Sequence, residues 1–164
     1  MAAPARQSPP PGIKRLINEL NQLPKEPNPN LMRLGPINDS DLTHWEAVMH
    51  GVPGSAYESG LWLLSISIPE AYPHAPPTIK FVTPICHPNI KFKTGEICLD
   101  LLKEKWSPAY TISSTLTSIY QLLSAPNPES PENLEVAALL RQGDLIGAEG
   151  LIRWCCGEWR YNGR

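Results

Sequence analysis

Residues 84–110 read PICHPNIKFKTGEICLDLLKEKWSPAY, an irregular span with periodic sequence on either side. It holds a His87-Pro88-Asn89 turn, a loop containing Gly95, a cysteine in an apolar setting (Cys98) and a Trp106-Ser107-Pro108-Ala109 corner. Just upstream, Trp62, Leu64, Ile66 and Ile68 alternate with Leu63, Ser65 and Ser67, the two-residue period of a strand with one apolar face. Residues 30–37 and 43–49 read as two earlier strands, the first closed by Gly35-Pro36, with the Asn38-Asp39-Ser40-Asp41 turn cluster between them. Residues 78–82 read as a fourth strand, after the proline-rich segment 69–77. Four strands joined by short turns imply an antiparallel meander.

Further out the period becomes helical. Ile13, Leu16, Ile17, Leu20 and Leu23 share one face, Lys14, Arg15 and Glu19 fall elsewhere, and Pro24 and Pro27 end this first helix. Downstream, Ile112, Leu116, Ile119, Tyr120 and Leu123 mark a second helix, stopped by Pro126-Asn127-Pro128. Ser130-Pro131 reads as the N-cap and first position of a third, running through Leu140 to near Gly143. Leu145, Ala148, Ile152, Cys155 and Trp159 mark the last. One helix, four strands, an irregular span and three helices make an α+β fold. Residues 1–11 carry Pro4, Pro9, Pro10 and Pro11 and read as a disordered or extended tail, and 12–164 as one domain.

Composition narrows the function. A formal net charge of −2 argues against nucleic acid, whose phosphates need a basic patch. No apolar run approaches the length of a membrane span, residues 61–64 being among the longest, and residues 1–12 hold no signal or transit pattern. The final Tyr-Asn-Gly-Arg is not a peroxisomal tail signal. Cys86, Cys98, Cys155 and Cys156 are expected as reduced thiols, the adjacent last two buried in a helix.

The chemistry in the central span points to a thiol, Cys98, with an amide donor, Asn89, nearby. All four histidines (His44, His50, His74 and His87) lie upstream, so no papain-like downstream His-Asn pair exists. Glu96 and Asp100 flank Cys98, and acidic neighbours do not help a thiolate form. That is a poor protease site, but it suits exchange with an existing thioester, a reaction near balance that needs little activation. When an amine then attacks the thioester, the carbonyl oxygen gains negative charge, which a held amide N–H stabilises by roughly 2.7–4 kcal/mol. Asn89 fits that part, with Pro88 stiffening its turn and Gly95 relaxing the loop, although Asn is also a common turn former. His87 reads as a structural, hydrogen-bonded side chain, and Lys91, Lys93, Lys103 and Lys105 as solvated. Trp106 reads as a packing anchor. Cys86, His87 and Cys98 match no zinc spacing and no fourth ligand is evident, so no metal is expected.

From residue 13 to about 159 the chain resembles the ubiquitin-conjugating (E2) enzyme family. The likeness rests on Lys14-Arg15, the Tyr-Pro-x-x-Pro-Pro at 72–77 and His87-Pro88-Asn89. It continues through Gly-Glu-Ile-Cys-Leu-Asp at 95–100, Trp106-Ser107-Pro108-Ala109, and Pro126-Asn127-Pro128 with Ser130-Pro131. Each motif alone is weak; in this order they are specific. The resemblance implies that Cys98 receives the C-terminus of ubiquitin as a thioester from an E1 activating enzyme. It implies that Asn89 stabilises the oxyanion or braces the loop, and that Asp100, Asn127 and Ser130 line the approach of the acceptor amine. That amine arrives protonated, with a pKa of ~10.4, and must lose its proton. It also implies that Lys14, Arg15, His74, Pro108 and Ala109 face RING-type ligases. No cofactor is implied, since ATP is consumed upstream by the activating enzyme.

The chain departs from the family pattern at three places. His74 stands where many members have an aromatic, Ser130 where an acidic residue is frequent, and the loop from Asn89 to Cys98 is one residue longer, with Phe92 in it. A narrower likeness, in residues 92–102, 118–123 and the last helix, is to the peroxisomal branch of the family. That branch implies ubiquitin transfer to Lys or Cys of the peroxisomal import receptor, and a dedicated membrane anchor protein as partner. It also implies location at the cytoplasmic face of the peroxisomal membrane and in the cytosol. The alternatives are a general cytosolic E2, an E2 for another ubiquitin-like modifier, and a non-catalytic ubiquitin-binding scaffold; such scaffolds lack the cysteine.

Overall fold

The computed structural model describes residues 10–127 and 131–163. Helix α1 (Pro11–Gln22) leads into strands β1 (Leu31–Asn38), β2 (Asp41–His50), β3 (Leu61–Ser67) and β4 (Thr78–Phe81). These pair in the order β1-β2-β3-β4, each antiparallel to its neighbour, so the expected meander and α+β class hold. After the irregular span come α2 (Ile112–Ser124), α3 (Leu134–Arg141) and α4 (Leu145–Glu158). No helix among the described residues is long and apolar enough to cross a membrane.

The alternation in β3 determines which face is covered. Trp62, Leu64 and Ile66 are buried beside Trp45, Ala47 and Met49 of β2, and share one core with Ile112, Leu116, Ile119 and Leu123 of α2. Strand β1 does not close at Gly35-Pro36 but runs on to Asn38, with Pro36 opposite Trp45. Proline lacks a ladder N–H, which is tolerated because β1 is the sheet edge. Helix α2 opens with a capping box: Thr111 accepts from the Ser114 N–H while the Ser114 hydroxyl accepts from the Thr111 N–H. Helix α3 begins later than the Ser130-Pro131 signal implies. Its N-cap is Asn133, and the N–H groups of Glu132 and Asn133 both donate to the Pro88 carbonyl, holding that segment against the active loop instead of in helix.

Glu19 corrects the reading of α1. It lies 8% exposed, and its carboxylate joins three elements. Oε1 accepts from Arg15 Nε and the Tyr72 hydroxyl, both at 2.6 Å, and Oε2 accepts from the Ile112 N–H at 2.8 Å. The last contact supplies an acceptor to an orphan donor at the positive end of α2. Burial, then the Glu19 carboxylate, pushes the Tyr72 phenol well above its ordinary range. Glu19→Ala strands all three donors at once. It is expected to lower unfolding free energy by about 3 kcal/mol and the thermal midpoint by roughly 6–12 °C. A calorimetric shift under about 2 °C would remove Glu19 from this role.

Candidate active site

The span from Ile90 to Ile97 is a small hairpin whose exit carries Cys98. Ile90 and Ile97 bridge, the Lys91 N–H donates to the Glu96 carbonyl, and the Gly95 N–H donates to the Lys91 carbonyl. Gly95 sits at φ +70°, and a Cβ there would lie 1.8 Å from the Phe81 oxygen, so only glycine lets the hairpin rest on β4. The Phe81 N–H donates to the Gly95 carbonyl at 3.0 Å, and the hairpin is thereby tacked to the sheet.

Cys98 and Asn89 are joined through the backbone: the Cys98 N–H donates to the Asn89 carbonyl at 2.8 Å. The Asn89 side chain is fully buried and bonds the segment after α2. Its Nδ2 donates to the Asn127 carbonyl at 2.6 Å, and its Oδ1 accepts from the Asn127 N–H at 2.7 Å. The fold therefore brings Cys98, Asn89 and Asn127 together. Asp100 follows Cys98 on a short turn of 3-10 helix (Asp100–Leu102), exposed and paired with Lys105 at 3.1 Å. Ser130 lies outside the described residues.

Cys98 is half-buried, whereas Cys86, Cys155 and Cys156 are buried; all four are free thiols. Burial pushes the Cys86 thiol far above its ordinary value and that of Cys156 to about 11. Cys98 opens into a groove of about 360 Å³ that is also lined by Pro77, Ile79, Lys91, Glu96, Lys103 and Glu132. The acidic flanks do not act on the thiol as bare charges. Lys91 and Lys80 bind Glu96 at 2.7 and 3.4 Å and hold its carboxyl below the usual range. Lys91 and Lys105 are thus ion-paired instead of merely solvated. Lys103, read from the sequence only as solvated, and Glu132, which belongs to no patterned element, are groove-lining groups.

His87 is not a base for Cys98. It is fully buried, its Nε2 lies 2.9 Å from the Leu122 carbonyl, and its Nδ1 accepts from the Asn89 N–H at 3.0 Å. This network assigns the neutral ring with its proton on Nε2. Burial lowers its pKa from 6.5 to about 4. The unfolded chain then binds a proton that the folded chain refuses between those two values. Stability contributed by neutral His87 is whole above pH 6.5 and lost as pH falls toward about 4, on the order of 3 kcal/mol over the window. Asp41, held near 2 by Thr43 and His44, acts below that window. Urea midpoints measured between pH 7.5 and 4.5 should fall with acid in the native protein and flatten in His87→Gln; parallel slopes would refute the assignment.

The residues that the family resemblance assigns to ligase binding cluster at the start of α1. Lys14, His74, Pro108 and Ala109 are exposed. Arg15 is mostly occupied, with Nε on Glu19 and Nη2 on the Tyr110 carbonyl at 2.9 Å. Trp106 anchors the corner, donating from Nε1 to the Pro73 carbonyl at 2.8 Å and packing between Tyr72 and Tyr110. These bonds place His74 and the Pro108-Ala109 pair beside the start of α1.

A family model described as "Ubiquitin-conjugating enzyme" matches residues 15–145. A protein of Gibberella zeae named "Ubiquitin-conjugating enzyme E2 PEX4" is 49% identical over 155 residues, 92% of this chain and 90% of that one. One of Dictyostelium discoideum, "Ubiquitin-conjugating enzyme E2 pex4", is 50% identical over 139 residues, 85% of this chain and 93% of its own. Among solved structures, H. polymorpha Pex4p in complex with the soluble domain of Pex22p superposes with a TM-score of 0.85 at 36% identity, covering 93% of this chain and 100% of that one.

Proposed function

The chain belongs to the ubiquitin-conjugating enzyme family, and we propose that it carries ubiquitin on Cys98 in the peroxisomal branch of that family. In the loading step the Cys98 sulfur attacks the thioester of ubiquitin on an E1 enzyme, the new thioester forms and the E1 thiol leaves. In the transfer step a lysine amine or cysteine thiol attacks the same carbonyl, and the Cys98 thiolate departs with its bonding electrons. Asn89 opposes the charge that builds on the carbonyl oxygen or, through Asn127, braces the loop. Asp100 and Asn127 border the acceptor's approach, a part that the family resemblance also gives to Ser130. Neither step requires a cofactor in this chain.

The observation that carries the reading is that Cys98 alone among the four free thiols escapes burial, and it lines a groove at the end of a hairpin tied to Asn89. Lys14, Arg15, His74, Pro108 and Ala109 form the surface for a RING-type ligase, with Arg15 contributing only the part of its guanidinium that Glu19 and Tyr110 leave exposed. The peroxisomal assignment is supported by the names of the relatives and by the Pex22p complex of the H. polymorpha protein. By that likeness a membrane anchor protein holds this chain at the cytoplasmic face of the peroxisome, and the acceptor is the import receptor. The test is a charging assay with activating enzyme, ATP and ubiquitin, resolved on gels with and without thiol reductant. A reductant-sensitive adduct is expected; no adduct with ubiquitin, in the presence of one with another modifier, would sink the reading.

A further inference from the structure

The hairpin before Cys98 places an aromatic ring against the end of the last helix. Phe92 lies at the tip of the hairpin that ends in Cys98, and its ring meets Trp159 edge-on, with centroids 5.0 Å apart and planes at 77°. Trp159 is the C-cap of α4, where its own N–H donates to the Cys155 carbonyl. The chain beyond it is pinned to the rest of the protein. Arg160 Nε donates to the Ser59 carbonyl at 3.0 Å, and the Tyr161 N–H donates to the Leu61 carbonyl of β3 at 2.8 Å.

The hairpin is thus held from two sides. Backbone bonds at Gly95 and the Lys80–Glu96 bridge fix its returning strand to β4. Its outgoing side, which turns from Asn89 into the tip, reaches α4 through Phe92. Both sides converge on Cys98, whose N–H is bonded to Asn89. Attack on a thioester needs the reacting atoms within near-attack distance and alignment, and displacement of about 1 Å can slow such a step by as much as 10²-fold.

We propose that Phe92, through its contact with Trp159, is a positioning residue for transfer from Cys98, fixing the hairpin that presents the thioester. Phe92 does not touch the reacting atoms; it acts through the loop. This inference rests on Cys98 being the ubiquitin carrier. Loading is the less demanding step, because exchange of one thioester for another is near balance. Transfer to an amine depends more on how the loop is held.

The experiment compares single-turnover discharge of ubiquitin to free lysine with the rate of charging, for the full chain carrying Phe92→Ala, Phe92→Tyr, Trp159→Leu and the Phe92→Ala/Trp159→Leu pair. Phe92→Ala is expected to slow discharge about threefold to tenfold, the population change that one aromatic pair supports, and to leave charging nearly unchanged. Phe92→Tyr, which keeps the ring, restores the rate. The double variant discharges no more slowly than the slower single one, as for two ends of one contact. Equal discharge by Phe92→Ala and the native chain overturns the proposal. So does a fall of charging and discharge together, which marks a stability effect, or a failure of tyrosine to rescue. A native chain that does not charge at all refutes the Cys98 reading instead.

Discussion

Cys98→Ala is expected to abolish the ubiquitin adduct, Cys98→Ser to yield an adduct that survives thiol reductant but not alkali, and Cys86→Ala to charge as the native chain does. The ordering follows from burial. Cys86 is 4% exposed, its sulfur receives the Asn133 amide, and burial opposes its ionisation. Cys155 and Cys156 lie inside α4 at 5% and 2% exposure. A thiol must reach its partner as a thiolate, so desolvation excludes these three, and Cys98 is left. Serine at 98 keeps the geometry but exchanges a sulfur ester for an oxygen ester, which a thiol reductant does not cleave. A reductant-sensitive band that persists in Cys98→Ala would move the carrier elsewhere.

Asn89→Ala is the second large effect. Loss of a well-placed oxyanion donor slows acyl transfer by about 10²–10³-fold, and single-turnover discharge to lysine is expected to fall into that range. Charging should slow far less. The side chain also makes the two bonds to Asn127, at 2.6 and 2.7 Å, which fasten the active loop to the end of α2. If bracing is its whole role, both steps slow equally and the unfolding midpoint drops with them. Equal slowing would remove the oxyanion role and leave the brace.

The parts of the fold that were legible in the sequence are those whose burial repeats with a period. From Trp62 to Ser67 the two-residue alternation of β3 matches its buried face, with only Leu61 buried out of phase, and α2 follows its apolar positions. What the sequence hides is carried by single polar groups with distant partners. Glu19 reads as a solvent-facing residue of an amphipathic helix, yet it binds Tyr72 and Ile112, separated from it by 53 and 93 residues. The four-residue spacing from Arg15 was the only local hint. The α3 boundary misleads for a related reason: Ser130-Pro131 is a good local start signal, but the bonds from 132 and 133 to Pro88 override it. At the candidate site, Cys98 and Asn89 stand out because their residue types carry chemistry. The Asn127 link and the Phe92–Trp159 contact depend on tertiary placement, and neither has a spacing rule.

The Glu19 junction has a consequence for how this surface can change over generations. Lys14, His74, Pro108 and Ala109 project from a frame that Glu19, Tyr72 and Trp106 hold rigid, and none of the four contributes a bond to that frame. If these side chains carry the proposed ligase surface, substitutions there retune ligase choice while leaving the scaffold intact. Arg15 is different, because one guanidinium serves both the junction and the outward face. On that proposal it is the pleiotropic position of the set: drift at the other four leaves the junction untouched, while a change at Arg15 disturbs the junction as well as the proposed ligase surface.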